Sequence, residues 1–328
     1  MTKTNLPPPE QITVVICTYN NASLLDRTLE KIEQQKVDKN ITWSVLIVDN
    51  NCTDKTTDVV NKYLSSGTIP GLRLVTESRQ GLAYARRRAV AEINSELIAF
   101  VDDDCLLTSD WVQQAVEFCR QYPQAGAVGS QVKLCWEVQP KEEFLHFQGY
   151  LASYDDGNIP RQLPSTGGTY LVGAGLLVRK NALEASGWLD KITLVGRQGK
   201  VLTAGDDTEM VLRIRNAGYQ LWYNPMMKLQ HYIPQRRTSI TYFCGLLRGI
   251  GRSLPTLYAL AEAKSPTFFL KFRFLFHGCG YVTKMLLSIA IQKLWRRKAT
   301  SATQQIYLAN SFGYLEGAVQ LFLKGYQV

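Results

Sequence analysis

Short runs of apolar residues alternate with helix-like stretches over residues 12–135. Four of these runs are continuous and rich in β-branched residues, which is typical of strands buried on both faces of a sheet. Helices are predicted between strands, near 22–35 and over 80–93. Strands that alternate with helices at this spacing predict an α/β fold, in which a mostly parallel sheet is flanked by helices. The predicted strands are ITVVICT (12–18), WSVLIVD (43–49), LRLVTE (72–77) and ELIAFVD (96–102).

The pattern is less regular after residue 126. GGTYLVGAGLLVRK (167–180) is predicted to be a strand interrupted by glycines, and such glycines often mark a close approach of the backbone to a ligand. Residues 190–205 predict a surface loop and 206–217 a helix. We therefore expect an N-terminal tail over 1–11, an α/β domain over 12–235 and a basic helical C-terminal extension over 236–328.

The carboxyl ends of the four predicted strands are polar and acidic. Ligands of open parallel sheets bind outside these ends, so the sequence predicts that a binding site lies along this edge. The segments that meet there are Thr18-Tyr19-Asn20, Asp49-Asn50-Asn51, Glu77-Ser78-Arg79 and Asp102-Asp103-Asp104.

The triplet Asp102-Asp103-Asp104 is a candidate metal site. Three adjacent carboxylates repel one another unless a cation neutralises them. Alternate residues of an extended segment project the same way, so Asp102 and Asp104 can face one ligand. Their oxygens suit Mg²⁺ or Mn²⁺, which commonly bridge to phosphate. The alternative is a solvated acidic turn before the helix that begins near Asp110.

A second acidic cluster, Asp206-Asp207-Thr208-Glu209, begins the predicted helix at 206–217. Acidic residues in a first helical turn are favoured by the helix dipole alone. A carboxylate at a loop-to-helix corner is also well placed to act as a general base.

The composition narrows the class of protein. Of 328 residues, 45% are hydrophobic and 20% are charged, which allows a sizeable core and excludes a fibrous or disordered chain. The first residues are polar and lack the apolar segment of a secretory signal, and the seven cysteines include no CxxC pair. We therefore expect a cytoplasmic protein with neither a disulfide framework nor a zinc site.

The net charge of +9 is concentrated in the C-terminal third. From Lys228 onward there are 14 basic and 2 acidic residues, whereas the preceding 227 residues carry 23 basic and 26 acidic ones. A basic block is typical of contact with an anionic surface. No nucleic-acid-binding motif accompanies it, so we expect no nucleic acid partner.

Residues 266–297 combine aromatic residues with lysines and arginines. The longest uncharged stretches, 274–283 and 285–292, are too short to span a bilayer. An amphipathic element in the interface of an anionic membrane fits this pattern. A helical subdomain with a solvated basic face, or a contact between protomers, is the alternative.

Five segments of the sequence, and the order in which they occur, resemble those of the family 2 glycosyltransferases. The resemblance covers about residues 12–235 and implies the GT-A fold, in which a nucleotide-diphospho-sugar binds to a Rossmann-like sheet. Most members of the family invert the anomeric centre and require a divalent metal. The segments are VVICTYNNASLLDRTLEKIEQQ, LIVDNNCTD, ESRQGLAYARRRAV, IAFVDDDCLLTSDW and AGDDTEMVLRIRNAGYQLWYNP.

The resemblance implies donor-binding residues in the first three segments. Thr18 and Tyr19 match positions beside the nucleotide base, and Asp49 matches the acidic residue that reads its edge. A carboxylate can accept the imide N–H of uracil, which favours a UDP-sugar; capping of the following turn is the alternative for Asp49. Gly81 and Arg86 match a block near the diphosphate, where arginine suits forked phosphate contacts.

The metal and donor phosphates are implied to meet at the acidic triplet. Asp102 and Asp103 are expected to contact the nucleotide-sugar, and Asp104 and Asp102 to bind Mn²⁺ or Mg²⁺. His231 matches a histidine that some relatives use as a further metal ligand. A histidine that only packs or caps is the alternative.

Asp207 matches the catalytic base of the family. The preceding Asp206 stands where glutamate is commoner, and with Trp188 and Asp190 it is implied to hold the acceptor. Trp188 can stack on a sugar face, although a core tryptophan is the alternative. No QxxRW motif follows His231, which favours addition of a single sugar over processive synthesis.

The sequence thus predicts a cytoplasmic, inverting, metal-dependent glycosyltransferase, with peripheral attachment to the inner face of the cell membrane as one interpretation of its basic extension. Its acceptor would be a saccharide or lipid-linked saccharide in exopolysaccharide or cell-surface glycan synthesis. The C-terminal composition is also similar to that of hormogonium polysaccharide glycosyltransferases. A non-catalytic scaffold that binds membrane or partner proteins is the alternative, and the intact Asp102, Asp104 and Asp207 favour the enzyme.

Overall fold

The computed structural model describes residues 11–168, 170–199, 201–262, 267–296 and 301–324, so the predicted N-terminal tail lies outside the described residues except for Gln11. The strands are β1 (Gln11–Thr18), β2 (Thr42–Asp49), β3 (Arg73–Thr76), β4 (Leu97–Phe100), β5 (Cys105–Leu107), β6 (Ala125–Trp136), β7 (Arg161–Gln162), β8 (Leu176–Arg179) and β9 (Gln220–Ile233). The helices are α1 (Ala22–Glu33), α2 (Thr56–Ser66), α3 (Leu82–Ala91), α4 (Trp111–Gln121), α5 (Glu142–Leu145), α6 (Lys180–Ala185), α7 (Asp206–Asn216), α8 (Ile240–Ala261), α9 (Phe268–Arg296) and α10 (Ala302–Lys324), with 3₁₀ turns at Gln148–Leu151 and Gln235–Arg237.

Within the described residues, one mixed sheet has the strand order β3-β2-β1-β4-β8-β6-β9-β5, and β7 pairs with β9. The strands β1 to β4 are parallel, whereas β8 is antiparallel to both of its neighbours. The register pairs Thr18 with Asp49 and Asp49 with Thr76, so the carboxyl ends form one edge. The predicted α/β fold is confirmed, and the four predicted strands end within two residues of the observed ones.

Each central strand is buried on both faces. In β1, Val14 and Ile16 pack with Leu25 of α1 in one hydrophobic cluster. Val15 points to the other face, where it belongs to a cluster with Ala85 of α3. A strand buried on both faces favours apolar residues at successive positions, which explains why Val14, Val15 and Ile16 show no alternation with polar residues.

The glycine-rich segment at 167–180 differs from the prediction of one strand. Only Leu176–Arg179 forms β8. Gly175 has a φ of +70°, and a Cβ on it would lie 2.3 Å from Cδ2 of Leu229. The chain therefore turns at this glycine. The residues just before it, Gly173 and Ala174, line the cavity described below.

The C-terminal extension is helical, as predicted. Helix α10 packs so closely on α8 that a Cβ on Gly313 or Gly317 would lie 2.0 or 2.1 Å from a carbonyl oxygen of α8. Glu316 of α10 forms ion pairs with Arg248 and Arg252 of α8. Close backbone contact through glycines and a shared acidic residue hold the two helices together.

Helix α9 lies against α10 on the outside of this pair. Among the described residues, its segment Phe268–Lys293 is the one helix that is long and apolar enough to cross a membrane by length and composition, and only 11% of the apolar window is buried. The helix is longer than either predicted uncharged stretch because Lys284 lies within it and does not end it.

Candidate active site

A cavity of about 290 Å³ lies at the carboxyl ends of β1 and β4, beside the first turn of α7. The predicted residues that line it are Thr18, Tyr19, Arg86, Asp102, Asp103, Asp104, Asp206, Asp207 and His231. The predicted residues that do not line it are Asp49, Gly81, Trp188 and Asp190. The topology thus brings both acidic clusters to one site.

Asp103 joins the acidic triplet to the end of β1. Its carboxylate accepts hydrogen bonds of 2.7 Å from Oγ1 of Thr18 and from Nδ2 of Asn21. Burial, together with the charge of Asp104, raises the pKa of Asp103 to about 7. These hydrogen bonds fix the acidic triplet against the end of β1.

Asp104 is buried between two cationic or potentially cationic side chains. Its Oδ1 lies 3.1 Å from Nε2 of His231, and its Oδ2 lies 2.8 Å from Nη1 of Arg237. Strand pairing causes the first contact, because β5 and β9 pair Cys105 with His231. Burial alone would raise the pKa of Asp104, but the charges of a protonated His231 and of Arg237 outweigh it and hold this pKa well below its usual value while no metal is bound.

Among the described residues, the ligand atoms of Asp102, Asp104 and Cys105 lie within 4.8 Å of one another, so the two carboxylates fit a hard divalent cation, and His231 faces Asp104. Nδ1 of His231 lies 2.8 Å from the carbonyl oxygen of Leu151, which can only accept, so a neutral ring presents its lone pair at Nε2. The facing Oδ1 of Asp104 is buried and accepts no hydrogen bond within the described part of the chain. Neighbouring ligands of an octahedral ion, each about 2.1 Å from it, lie about 3 Å apart, which matches the 3.1 Å between these atoms. A carboxylate oxygen of Asp102 lies within 4.8 Å of one of Asp104.

Arg86 is buried and connects the two acidic clusters. Its Nη1 lies 2.7 Å from Oδ2 of Asp206, and its Nη2 lies 3.7 Å from Oδ1 of Asp102. Burial raises the pKa of Asp206 to about 6, although the charge of Arg86 acts in the opposite sense. Asp206 lines the cavity and its Oδ2 pairs with Arg86, so its role in holding the acceptor stays a prediction.

Asp207 is half-buried and lines the cavity. Its Oδ2 accepts a hydrogen bond of 2.8 Å from the backbone N–H of Gly173, and its Oδ1 accepts one of 2.7 Å from Thr208. A Cβ on Gly173 would lie 2.8 Å from the same Oδ2 and 2.9 Å from Nη2 of Arg86. The glycine-rich segment thus borders the acidic pair with its backbone.

The residues expected beside the nucleotide base, Tyr19 and Asp49, and Gly81, expected near the diphosphate, have different environments. Tyr19 lines the cavity and is exposed. Oδ1 of Asp49 accepts a hydrogen bond of 2.7 Å from the N–H of Cys52, which is the turn-capping alternative. Gly81 donates its N–H to Oδ1 of Asn50, and its φ of +147° and contact with Val195 account for the glycine.

The acceptor side needs one correction. Trp188 is fully buried in the hydrophobic core, where a sugar cannot reach its ring, so the stacking role is wrong for this conformation. The alternative of a core tryptophan is what the structure shows. Asp190 is exposed and lies outside the cavity lining.

The sequence did not predict a role for Arg237. It also did not predict which residues hold the loop 190–205 beside the cavity. Arg197 lies on this loop and lines the cavity, and its carbonyl oxygen accepts the N–H of Leu82. Buried Glu209 accepts the N–H groups of Thr193 and Leu194. Glu209 had a signal, since it belongs to the acidic cluster, whereas Arg237 had none beyond the general basicity of the segment.

The family model described as "Glycosyl transferase family 2" matches residues 13–187. The chain belongs to glycosyltransferase family 2. It is therefore a glycosyltransferase with the GT-A fold, as the five segments predicted.

Three proteins illustrate what this chain is similar to. A glucosyl-dolichyl phosphate glucuronosyltransferase of Haloferax volcanii is 23% identical over 236 residues, which are 71% of this chain and 72% of that one. The mannosyltransferase PcManGT from Pyrobaculum calidifontis, in complex with GDP-Man and Mn²⁺, has a TM-score of 0.57 at 18% identity, with 96% of this chain and 88% of that chain covered. GalNAc-T7 with UDP, GalNAc and Mn²⁺ has a TM-score of 0.52 at 13% identity, with 74% and 48% covered. At these identities the two structures show likeness of fold.

Proposed function

We propose that this glycosyltransferase transfers one sugar from a nucleotide-diphospho-sugar to a saccharide hydroxyl, with inversion and with help from a divalent metal. The observation that carries the proposal is that Asp207 shares one cavity with Asp102, Asp104 and His231. A base for the acceptor and a cation site for the leaving diphosphate would thus lie around a single reaction centre.

Asp207 would act as the general base. Hydrogen bonds from Gly173 and Thr208 fix the orientation of its carboxylate in the cavity. The acceptor hydroxyl gives its proton to Asp207 while its oxygen bonds to the anomeric carbon. The bond from that carbon to the diphosphate breaks, and its electron pair leaves with the phosphate oxygen. A single displacement of this kind inverts the anomeric centre.

Asp102, Asp104 and His231 would hold Mn²⁺ or Mg²⁺. When bound, such an ion stabilises the negative charge of the departing diphosphate. Buried Arg86 would keep Asp102 and Asp206 oriented through its two ion pairs.

The donor that we favour is a UDP-sugar. The support is the carboxylate of Asp49, since a carboxylate can accept the imide N–H of uracil. Its Oδ1 is engaged by the N–H of Cys52, so any base contact would use Oδ2. Thermal-shift titration of UDP-, GDP- and dTDP-sugars with Mn²⁺ tests this choice, because a ligand that binds the native state raises its melting temperature.

The acceptor class that we favour is a saccharide or lipid-linked saccharide of exopolysaccharide or cell-surface glycan synthesis. The name of the Haloferax relative gives its acceptor as a dolichyl-phosphate-linked sugar. A basic extension supports action at the cytoplasmic face of the membrane, where such acceptors are accessible.

The proposal is tested by Asp207→Asn, assayed for sugar transfer and for donor affinity. Asparagine preserves the shape but cannot take the proton, so turnover should fall by about 10²–10⁴-fold while donor affinity stays unchanged. The matched control is Asp58→Asn, the same change at an exposed residue of α2, which should leave turnover unaltered.

Two results would contradict the proposal. Wild-type turnover in Asp207→Asn would place the base elsewhere, and loss of donor affinity would assign Asp207 to the phosphate or metal site. A non-catalytic scaffold would transfer no sugar in the wild-type protein either.

A further inference from the structure

Helix α9 exposes large apolar side chains along most of its length. Its inner side packs on α10, where Phe274 is buried and a Cβ on Gly278 would lie 3.0 Å from Cα of Leu315. Single apolar residues are normal on a surface, but a contiguous patch of this kind marks an interaction site. Its large residues are Phe268, Phe269, Phe272, Phe276, Leu286, Leu287 and Ile291, with exposed fractions of 48–76%.

The charged residues of α9 avoid the side that faces away from the protein. At 3.6 residues per turn, the side opposite Phe274 and Gly278 forms one apolar or uncharged strip, here called the outward face. It consists of Phe269, Phe272, Phe276, Cys279, Gly280, Thr283, Leu286, Leu287 and Ala290. The flanking basic residues are Arg273 and Lys284 on one side and Lys271 and Lys293 on the other.

The charged residues in and around α9 are all basic. Residues 263–315 contain eight lysines and arginines and no aspartate or glutamate. Long basic side chains beside an apolar strip can reach lipid headgroups while the strip enters the acyl boundary. Each Lys or Arg near an anionic membrane adds about 1 kcal/mol to its attraction.

The same charge disfavours a second copy of the chain as the occupant. A two-fold dimer through the outward face would set the same patch against itself. The basic flanks of both copies would then meet with no acidic residue of 263–315 to compensate them.

A series of contacts connects the carboxyl-terminal end of α9 to the active-site cavity. Gln292 of α9 accepts a hydrogen bond from Gln304 at the start of α10. One turn further along α10, the ring of Tyr307 lies 5.5 Å from that of Phe147. The ring of Phe147 also contacts that of Tyr150, which lines the cavity. Leu246 and Ile250 of α8 also line the cavity and give it an apolar side.

We propose that α9 lies flat in the interface of an anionic membrane with its outward face in the lipid, and that this brings the cavity to membrane-held acceptors. The second half rests on the proposed function, whereas the membrane contact does not. A protein-facing inner side and a lipid-facing outward side make α9 an interfacial helix and not a spanning one.

The test is flotation of the full-length protein with vesicles of equal parts phosphatidylcholine and phosphatidylglycerol. Phe272→Gln/Phe276→Gln keeps the charge, removes two exposed rings and leaves no core cavity, and should reduce partitioning by about tenfold or more. The matched control is Val138→Gln/Ile159→Gln, which changes two exposed apolar residues of the catalytic domain and should float like the wild type. Pure phosphatidylcholine should bind the wild type more weakly.

A second measurement does not depend on these variants. Cys279 is exposed on the outward face, while the other cysteines are buried or partly buried, so it is the accessible thiol for an environment-sensitive dye. Its emission should shift to the blue when the anionic vesicles are added. An unchanged emission would overturn the proposal.

Three further outcomes would overturn it. They are equal flotation of the double variant and the wild type, resistance of bound protein to alkaline extraction as expected of a spanning helix, and a dimer in vesicle-free solution that the double variant abolishes. Asp207→Asn should float like the wild type, so a failure of catalysis and a failure of membrane binding are separable.

Discussion

Nη1 of Arg237 lies 2.8 Å from Oδ2 of Asp104, and both side chains are buried. A buried carboxylate is costly unless a cation compensates it. Arg237 supplies that charge at the same carboxylate that faces His231. We infer that Arg237 stabilises the site before metal arrives and leaves Oδ1 of Asp104 available to an ion.

Arg237→Met should therefore destabilise the metal-free protein. Removing one partner of a buried ion pair costs about 3–5 kcal/mol, and Mn²⁺ should recover part of this loss by taking over the charge of Asp104. We expect a lower melting temperature in EDTA and a larger rise on adding Mn²⁺ than in the wild type, measured by thermal shift.

The neighbouring Arg236 provides the control. It also lines the cavity but is exposed, so Arg236→Met leaves no buried carboxylate without a partner. An equal effect of Mn²⁺ on Arg237→Met and on the wild type would contradict the idea that Arg237 and the ion share Asp104.

Donor binding should depend on divalent metal through Asp104. Calorimetric titration of the nucleotide-sugar is expected to show an affinity at least about tenfold lower in EDTA than in Mn²⁺. Asp104→Asn should lower the affinity in Mn²⁺ and make it insensitive to EDTA. Equal affinities in all these titrations would exclude a metal-bridged donor.

Arg86 and Asp206 should behave as one unit in stability measurements. Arg86→Met leaves a buried carboxylate beside the cavity and should lower the free energy of unfolding by about 3–5 kcal/mol. Adding Asp206→Asn should restore part of that loss, so the two changes will not be additive in urea unfolding. Additive effects would mean that Arg86 acts mainly through Asp102 or through bound phosphate.

The fold was predictable because its central strands are buried on both faces. Val14 and Val15 point to opposite clusters, so the apolar run carries the signal at every position. The strand β5 gave no such signal, since Cys105–Leu107 has three residues and its place depends on pairing with β9. The prediction of one strand over 167–180 was wrong because the chain turns at Gly175, and only Leu176–Arg179 forms a strand.

The candidate site was predictable where its residues are neighbours in sequence. Asp102 and Asp104 act from one short segment, and the second cluster begins one helix. Contacts between distant segments were not predictable. Arg86 meets Asp206 across 120 positions, and the contact between Asp104 and Arg237 depends on the packing that follows β9. The burial of Trp188 was not predictable either, because an aromatic side chain in a loop can point into the core or toward a ligand.

Trp188 should contribute to stability and not to acceptor binding. Its Nε1 has no hydrogen-bond partner within the described residues, so Trp188→Phe loses volume but no hydrogen bond. We expect the free energy of unfolding to fall by about 1–3 kcal/mol, measured in urea, with the acceptor KM unchanged. A raised acceptor KM at unchanged stability would restore the stacking role.

Gly173 should be required for activity because it sets the position of Asp207, the proposed general base. Its N–H donates to Oδ2 of Asp207, and a Cβ would lie 2.8 Å from that oxygen. Gly173→Ala must displace either Asp207 or Arg86, and a misplacement of about 1 Å can cost about 10²-fold, so kcat should fall by about that factor. The matched control is Gly168→Ala, where no atom of the described residues lies within 4 Å of the added methyl group. Steady-state transfer assays with melting temperatures separate lost alignment from lost folding. Wild-type kcat in Gly173→Ala would mean that Asp207 tolerates displacement, which a general base in contact with the reacting hydroxyl cannot do.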